Sequence, residues 1–122
     1  MMYLEQIPLS KQLELVFRTL RHELAQLASG TIIVQIRNNL VGKFGVRYDP
    51  LGDRESGVGP GGLTDRQQEE LRDIGIRSLQ RKRWTHGELQ LKFRLFEHGL
   101  QASVLMESNY NMSNILGKPA AR

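Results

Sequence analysis

The stretch ELQLKFRLFEHGLQASVLME, residues 88–107, decides the reading of this chain. Leu89, Leu91, Phe93 and Leu95 alternate strictly with Gln90, Lys92 and Arg94, the period of two that a half-buried strand requires. His98-Gly99 then offers a tight turn. A turn at those two residues sets Leu95 against Ala102, Phe93 against Val104 and Leu91 against Met106, all on one face. Parity and turn chemistry agree, which specifies an antiparallel hairpin.

Immediately upstream, the pattern changes from two to 3.6. Thr64 followed three residues later by Gln67 forms a capping box. Asp65, Glu69 and Glu70 lie near the start of this helix and Arg77, Arg81, Lys82 and Arg83 near its end, both placements complementing the helix dipole. Its apolar stripe is thin, consisting of Leu71, Ile74 and Leu79. Gly75 interrupts it at a cost in helix propensity that close packing would explain.

The same order, helix then hairpin, occurs earlier. Leu13, Val16, Phe17, Leu20, Leu24 and Leu27 recur every three or four residues, with Ser10 available as a cap and Ser29-Gly30 as a stop. Two strands follow, 31–36 and 41–48, turning around Asn38-Asn39. Side-chain parity sets Val34 against Phe44 and Ile32 against Val46 on one face, with Gln35 against Lys43 and Thr31 against Arg47 on the other. A two-residue Asn-Asn turn would instead oppose Val34 to Lys43, so a longer turn is expected.

One domain is therefore expected over 1–122: a helix–hairpin unit at 10–48, a Gly-rich loop at 49–63 expected to be mobile over 52–62, a second unit at 64–107, and a tail from 108 expected either to form a short helical turn around 111–116 or to fray. The halves share architecture and show no aligned residue pattern. The fold class is α+β, a two-layer sandwich in the order α-β-β-α-β-β, with a four-stranded antiparallel sheet and both helices on one face. Only that arrangement hides every apolar face at once. The strand order stays open, because two hairpins can meet through either of their edges.

Composition sets outer bounds on function. The chain has 122 residues, 39% hydrophobic and 25% charged, which suits a globular protein with its own core. It has no cysteine, so thiolate metal sites, disulfides and thiol redox chemistry are excluded. That absence fits a reducing cytosol, and a cytoplasmic location is expected. No apolar run approaches the ~20 residues that span a bilayer, and Met1 to Pro8 lack the basic and apolar regions of a secretory signal. The net charge of +4 comes from 17 basic and 13 acidic residues, an imbalance that tilts slightly toward anionic partners.

The string 57–62 formally matches G-x-G-x-x-G, but a dinucleotide fingerprint needs a strand directly before it and a parallel crossover after it. A connector is the simpler reading. His22, His86 and His98 are the only histidines; the latter two bracket a full strand and cannot share an ion, so no metal site is expected. Glu69, Glu70 and Asp73 interleave with Arg66, Arg72 and Arg77 as the wet face of a helix. No serine sits in a nucleophile-elbow context. Catalytic, cofactor and metal residues are accordingly not assigned.

The surface that remains is the polar side of the sheet. Parity gathers Arg37, Lys43 and Arg47 from the first hairpin with Lys92 and Arg94 from the second. Glu107 is the clear acidic exception, and Phe96 is the one aromatic of suitable parity. Arg81, Lys82, Arg83 and Trp84 form a secondary cluster, read as a helix end followed by a tryptophan whose ring is expected to be buried with its N–H near the surface; exposed instead, Trp84 would be an anchor for a partner. The functional expectation is a non-enzymatic binding or accessory protein engaging a protein partner or a second copy of itself. The alternative is a nucleic-acid-binding module using the basic sheet face, and the third reading is an enzyme with no recognisable site.

Overall fold

The first helix, α1 (Leu9–Leu24), forms because its apolar stripe has something to cover: Leu9, Leu13, Val16, Phe17, Leu20 and Leu24 are all buried. The computed structural model describes residues 7–50, 61–81, 84–110 and 112. The helix starts at Pro8, whose fixed φ suits a helix entry, rather than at Ser10, and has no side-chain cap. It ends at Ala25, before Ser29-Gly30, because those two residues already belong to β1 (Ser29–Arg37). Leu27 packs on the core from outside the helix.

β1 pairs antiparallel with β2 (Leu40–Arg47), and the turn combines two features that the sequence reading treated as alternatives. Asn38 and Asn39 form a tight two-residue turn, both left-handed at φ 54° and 62°, which asparagine tolerates better than most residues. Ile32 still opposes Val46, and Val34 still opposes Phe44. A β-bulge reconciles them: the ladder passes from Ile36 opposite Val41 directly to Val34 opposite Phe44, so Gly42 and Lys43 together face Gln35. The expected register is present, with a shorter turn than expected.

The second helix, α2 (Asp65–Leu79), has the Thr64–Gln67 capping box with both reciprocal hydrogen bonds formed. Leu71 and Leu79 are buried and Ile74 half-buried. Gly75 is where the helix comes closest to the rest of the core. A Cβ there would sit 2.8 Å from Leu13 Cδ2 and 3.1 Å from Leu91 Cδ1. The glycine thus trades helix propensity for the approach of α2 to both α1 and the sheet.

β3 (His86–Phe96) and β4 (Gly99–Ser108) form the second hairpin over ten consecutive pairs. Its faces are as the alternation predicts, but its register differs by two residues. Leu95 opposes Leu100, Phe93 opposes Ala102, Leu91 opposes Val104 and Leu89 opposes Met106. The turn residues are Glu97 and His98, not His98 and Gly99, because Gly99 takes its positive φ of 129° as the first residue of β4. Moving a turn by one residue moves the register by two, which leaves every side chain on its original face.

The sheet order is β2-β1-β3-β4, antiparallel throughout. The two hairpins meet through their first strands, with Ser29 opposite Arg94 and Arg37 opposite His86 at the ends of the β1–β3 ladder. Both second strands are therefore edges. Both helices cover the same face, and Leu13, Phe17, Leu20 and Leu24 share one core with Val34, Leu91 and Phe93, onto which Phe44, Val46 and Val104 pack. This is the two-layer α-β-β-α-β-β arrangement.

Two buried glutamines fasten the layers. Gln12 Oε1 accepts from Val41 N at 2.7 Å, while its Nε2 donates to Ile7 O and Asn39 O. Gln68 Nε2 donates to Arg21 O and Leu63 O, next to a hydrogen bond from Leu63 N to Leu24 O. The end of the Gly-rich segment is thereby docked on the end of α1. The rest of that segment, 51–60, including most of the G-x-G-x-x-G string and of the stretch expected to be mobile, lies outside the described residues, as do nearly all tail positions of the helical turn expected around 111–116.

Candidate functional site: the outer face of the sheet

Side chains that alternate with the core residues stand on the face the helices leave uncovered. The ladder registers arrange them in rows across the strands. Arg47, Thr31, Lys92 and Ser103 form one row, with Ser29, Arg94 and Gln101 beside it. Gly45, Ile33, Gln90 and Leu105 form the next, followed by Gln35, Glu88 and Glu107 with Lys43 at the bulge. Arg37 and His86 close the far end.

The five basic residues expected to act together are split by this geometry. Arg47, Lys92 and Arg94 are neighbours at one end. Arg37 lies eight residues along β1 from Ser29, the partner of Arg94, a separation of roughly 26 Å at strand spacing. Lys43 shares a shallow groove with Gln35, Val46, Arg47 and Glu88. The acidic content of the face is also greater than the alternation of Gln90, Lys92 and Arg94 suggested, because Glu88 belongs to it as well as Glu107. The two glutamates are direct cross-strand partners. Glu88 accepts hydrogen bonds from Gln35 Nε2 at 3.5 Å and Gln90 Nε2 at 2.5 Å. The same parity count that found Lys92 would have found Glu88 had it been carried two residues further back.

The basic end has one aromatic neighbour. The guanidinium of Arg94 lies 5.7 Å from the centroid of the Phe96 ring, within cation–π range, and Phe96 is 42% exposed. Leu105, one row further in, is 62% exposed.

The secondary cluster is not a surface anchor. Trp84 is only 4% exposed; its indole N–H donates to Leu79 O at 3.1 Å, closing the end of α2. The ring lies over Gly87, where a Cβ would meet Trp84 Cε3 at 2.8 Å. A lone tryptophan just after a helix end is better used to cap and cover that end than to meet solvent. Arg81 is exposed, and Lys82 and Arg83 lie outside the described residues.

Other polar clusters have local roles. Arg66 with Glu70, and Arg72 with Asp73, are exposed ion pairs on α2, while Arg21 with Asp65 at 3.1 Å ties the two helices; exposed pairs of this kind contribute at most about 1 kcal/mol. His22 and His98 are exposed and His86 half-buried, and among the described residues no group of histidines and carboxylates has the arrangement of a metal site. No described helix is long and apolar enough to cross a membrane. Tyr48 donates to Glu23 Oε2 at 2.6 Å. That hydrogen bond, with smaller contributions from desolvation and the carboxylate charge, raises its phenol above the usual 10.0. Compared with protein-family models, with curated proteins and with solved structures, the chain finds no match.

Proposed function

We infer that this chain is a non-enzymatic binding domain that engages a protein partner through the free side of its sheet. The observation that carries this reading is the mixed chemistry of the uncovered outer face. Exposed Leu105 and half-buried Ile33 occupy its middle row, Arg47, Lys92 and Arg94 lie on one side of that row, and Glu88 and Glu107 on the other. An apolar centre flanked by both signs of charge suits a protein surface, where charge pattern fixes register and partner choice. It suits a polyanion less, since the two glutamates would face phosphates.

The test is affinity capture with the purified chain, followed by titration of the recovered protein against wild type and an Ile33→Glu/Leu105→Glu variant. Loss of binding with unchanged thermal unfolding supports the reading. Undiminished binding by the variant refutes it.

A second reading keeps nucleic acid as the partner, and Arg94 beside Phe96 favours it. Lys92 and Arg94 are neighbours on β3, Arg47 lies across Thr31 from Lys92, and an exposed ring next to cationic side chains can stack on a base. Binding to generic single-stranded oligonucleotides that weakens steeply with salt, and that Arg47→Glu/Lys92→Glu abolishes, would shift the assignment to this reading.

A further inference from the structure

The two edges of the sheet are not alike. β2 has a bulge at Gly42 and Lys43, a further glycine at 45, and two basic side chains, Lys43 and Arg47. These are devices that keep an edge from accepting another strand. From Leu100 onward β4 has no bulge, no glycine and no basic side chain. Its ten residues, GLQASVLMES, pair with β3 without interruption, and they include no proline, no lysine and no arginine. From Leu100 to Glu107 a regular ladder on one side implies an equally regular row of outward-facing backbone N–H and C=O groups on the other, and among the described residues no strand takes up that row.

Its side chains are also unfinished. On the core side, Leu100, Ala102, Val104 and Met106 are only partly buried, while Leu89, Leu91, Phe93 and Leu95 of β3 are buried. On the outer side, Leu105 is the most exposed residue of the strand's apolar set. An occupant that continues the sheet would extend both the hydrogen-bond ladder and the core.

Resting on the reading of the sheet as a protein-binding surface, we propose that this occupant is a second copy of the chain, paired antiparallel through β4 about a two-fold axis beside Val104. The charges select it. A two-fold axis at the edge brings the acidic row of one copy toward the basic end of the other. With Val104 opposite its own copy, Glu107 falls opposite Gln101, which lies next to Arg94 in the β3–β4 ladder. The row then reads Glu88, Glu107, Gln101, Arg94 across the junction. Leu105 falls opposite Ser103 and beside the stem of Lys92, and Ala102 falls opposite Met106. Glu107 is the only charged side chain on β4 and does not meet itself. The product is a continuous eight-stranded antiparallel sheet, isologous as a closed dimer requires.

Three variants and one cross-link test this arrangement in the intact chain. Sedimentation should give twice the 13.9 kDa chain mass at micromolar concentration. Leu105→Lys, which sets like charges beside Lys92 of the other copy, should give monomer with unchanged thermal unfolding of the subunit. Glu107→Arg should raise the dimer dissociation constant several-fold, and Glu107→Arg/Arg94→Glu should restore it, because the swap exchanges the two ends of the same row. Glu107→Arg also removes the like-charge pair with Glu88, and unchanged thermal unfolding of the variant separates lost pairing from a damaged fold. As the chain has no cysteine, Val104→Cys is a clean reporter: it should oxidise to a covalent dimer faster than Gln101→Cys, since facing residues in an antiparallel pair are within disulfide range. A monomeric wild type overturns the proposal, as does a dimer that Leu105→Lys leaves intact or a charge swap that fails to restore. A monomeric wild type that still binds a captured partner through Ile33 and Leu105 would refute self-pairing alone; a monomer that also fails that titration would refute both readings.

Discussion

Around its first edge the sheet places a bulge, two glycines and two basic side chains; around its second it places an unbroken, nearly uncharged strand. The two edges belong to halves of the same design, each a helix followed by a hairpin, joined through β1 and β3 in the centre. Both hairpins must satisfy the same core, so their inward residues follow the same rule. Only the free sides differ, and an edge that is left open in one half and blocked in the other points to use rather than to folding economy.

The largest expected effect falls on what the halves share. Phe93 is 1% exposed at the middle of the core, and its ring covers Gly30 on the neighbouring β1. Phe93→Ala should cost about 3–5 kcal/mol, lowering the denaturant midpoint in one transition that takes both hairpins together. Two separate transitions, or a near-neutral effect, would break the picture of one core.

The next two substitutions act on one half each. Gln12→Ala leaves Val41 N without its side-chain acceptor and should cost about 1–3 kcal/mol, with raised amide exchange confined to the β2 turn. Gly87→Ala drives a Cβ into Glu107 O and to 2.8 Å from the Trp84 ring, which forces β4 away from β3 at a cost of about 1–3 kcal/mol. It should disturb the dimer as well as the fold, whereas Gln12→Ala should leave association unchanged at temperatures where the subunit is folded. Equal effects of the two on association would erase the distinction between the edges.

The smallest effect concerns the tether from the end of β2 to α1. Tyr48 titrates above 10.0 because its phenol donates to Glu23. The neutral phenol is the form the folded state prefers, so its contribution is complete below the unfolded value and is lost as pH rises through the folded one. An ultraviolet difference titration of wild type against Tyr48→Phe should show that phenol ionising above 10, with no change in dimer mass. A phenol ionising at or below 10 would remove the tether.

Much of the fold was legible because each element carries one apolar face. The alternation from Leu89 to Leu95, the stripe from Leu13 to Leu24 and the Thr64–Gln67 box each specify their element locally. Facing was readable where pairing was less so: a shift of two residues at Gly99 preserves parity, so no hydrophobic pattern reports it, whereas the bulge at Gly42 and Lys43 changes parity along β2 and leaves its trace in Val41 and Phe44, three residues apart and both packed on the core. Strand order was hidden for a related reason, since the apolar faces of two hairpins match whichever edges meet. The outer face was half legible. Arg47, Lys92 and Arg94 share one end of the face and Lys43 lines a groove with Arg47, but Arg37 is set apart by its position along β1, which parity does not measure. Trp84 is buried, as a lone tryptophan after a helix end suggests, but that its ring is seated on Gly87, three residues further on, is a matter of space that no periodic pattern reports.

Amide hydrogen exchange of β2 and β4, followed residue by residue at low and high protein concentration, tests the central claim most directly. If β4 is the edge that takes a second copy, alternate amides of β4 from Leu100 to Glu107 gain protection as concentration rises, while the edge amides of β2 do not. Exchange that is fast at both edges and independent of concentration, or protection that appears first on β2, would contradict the account.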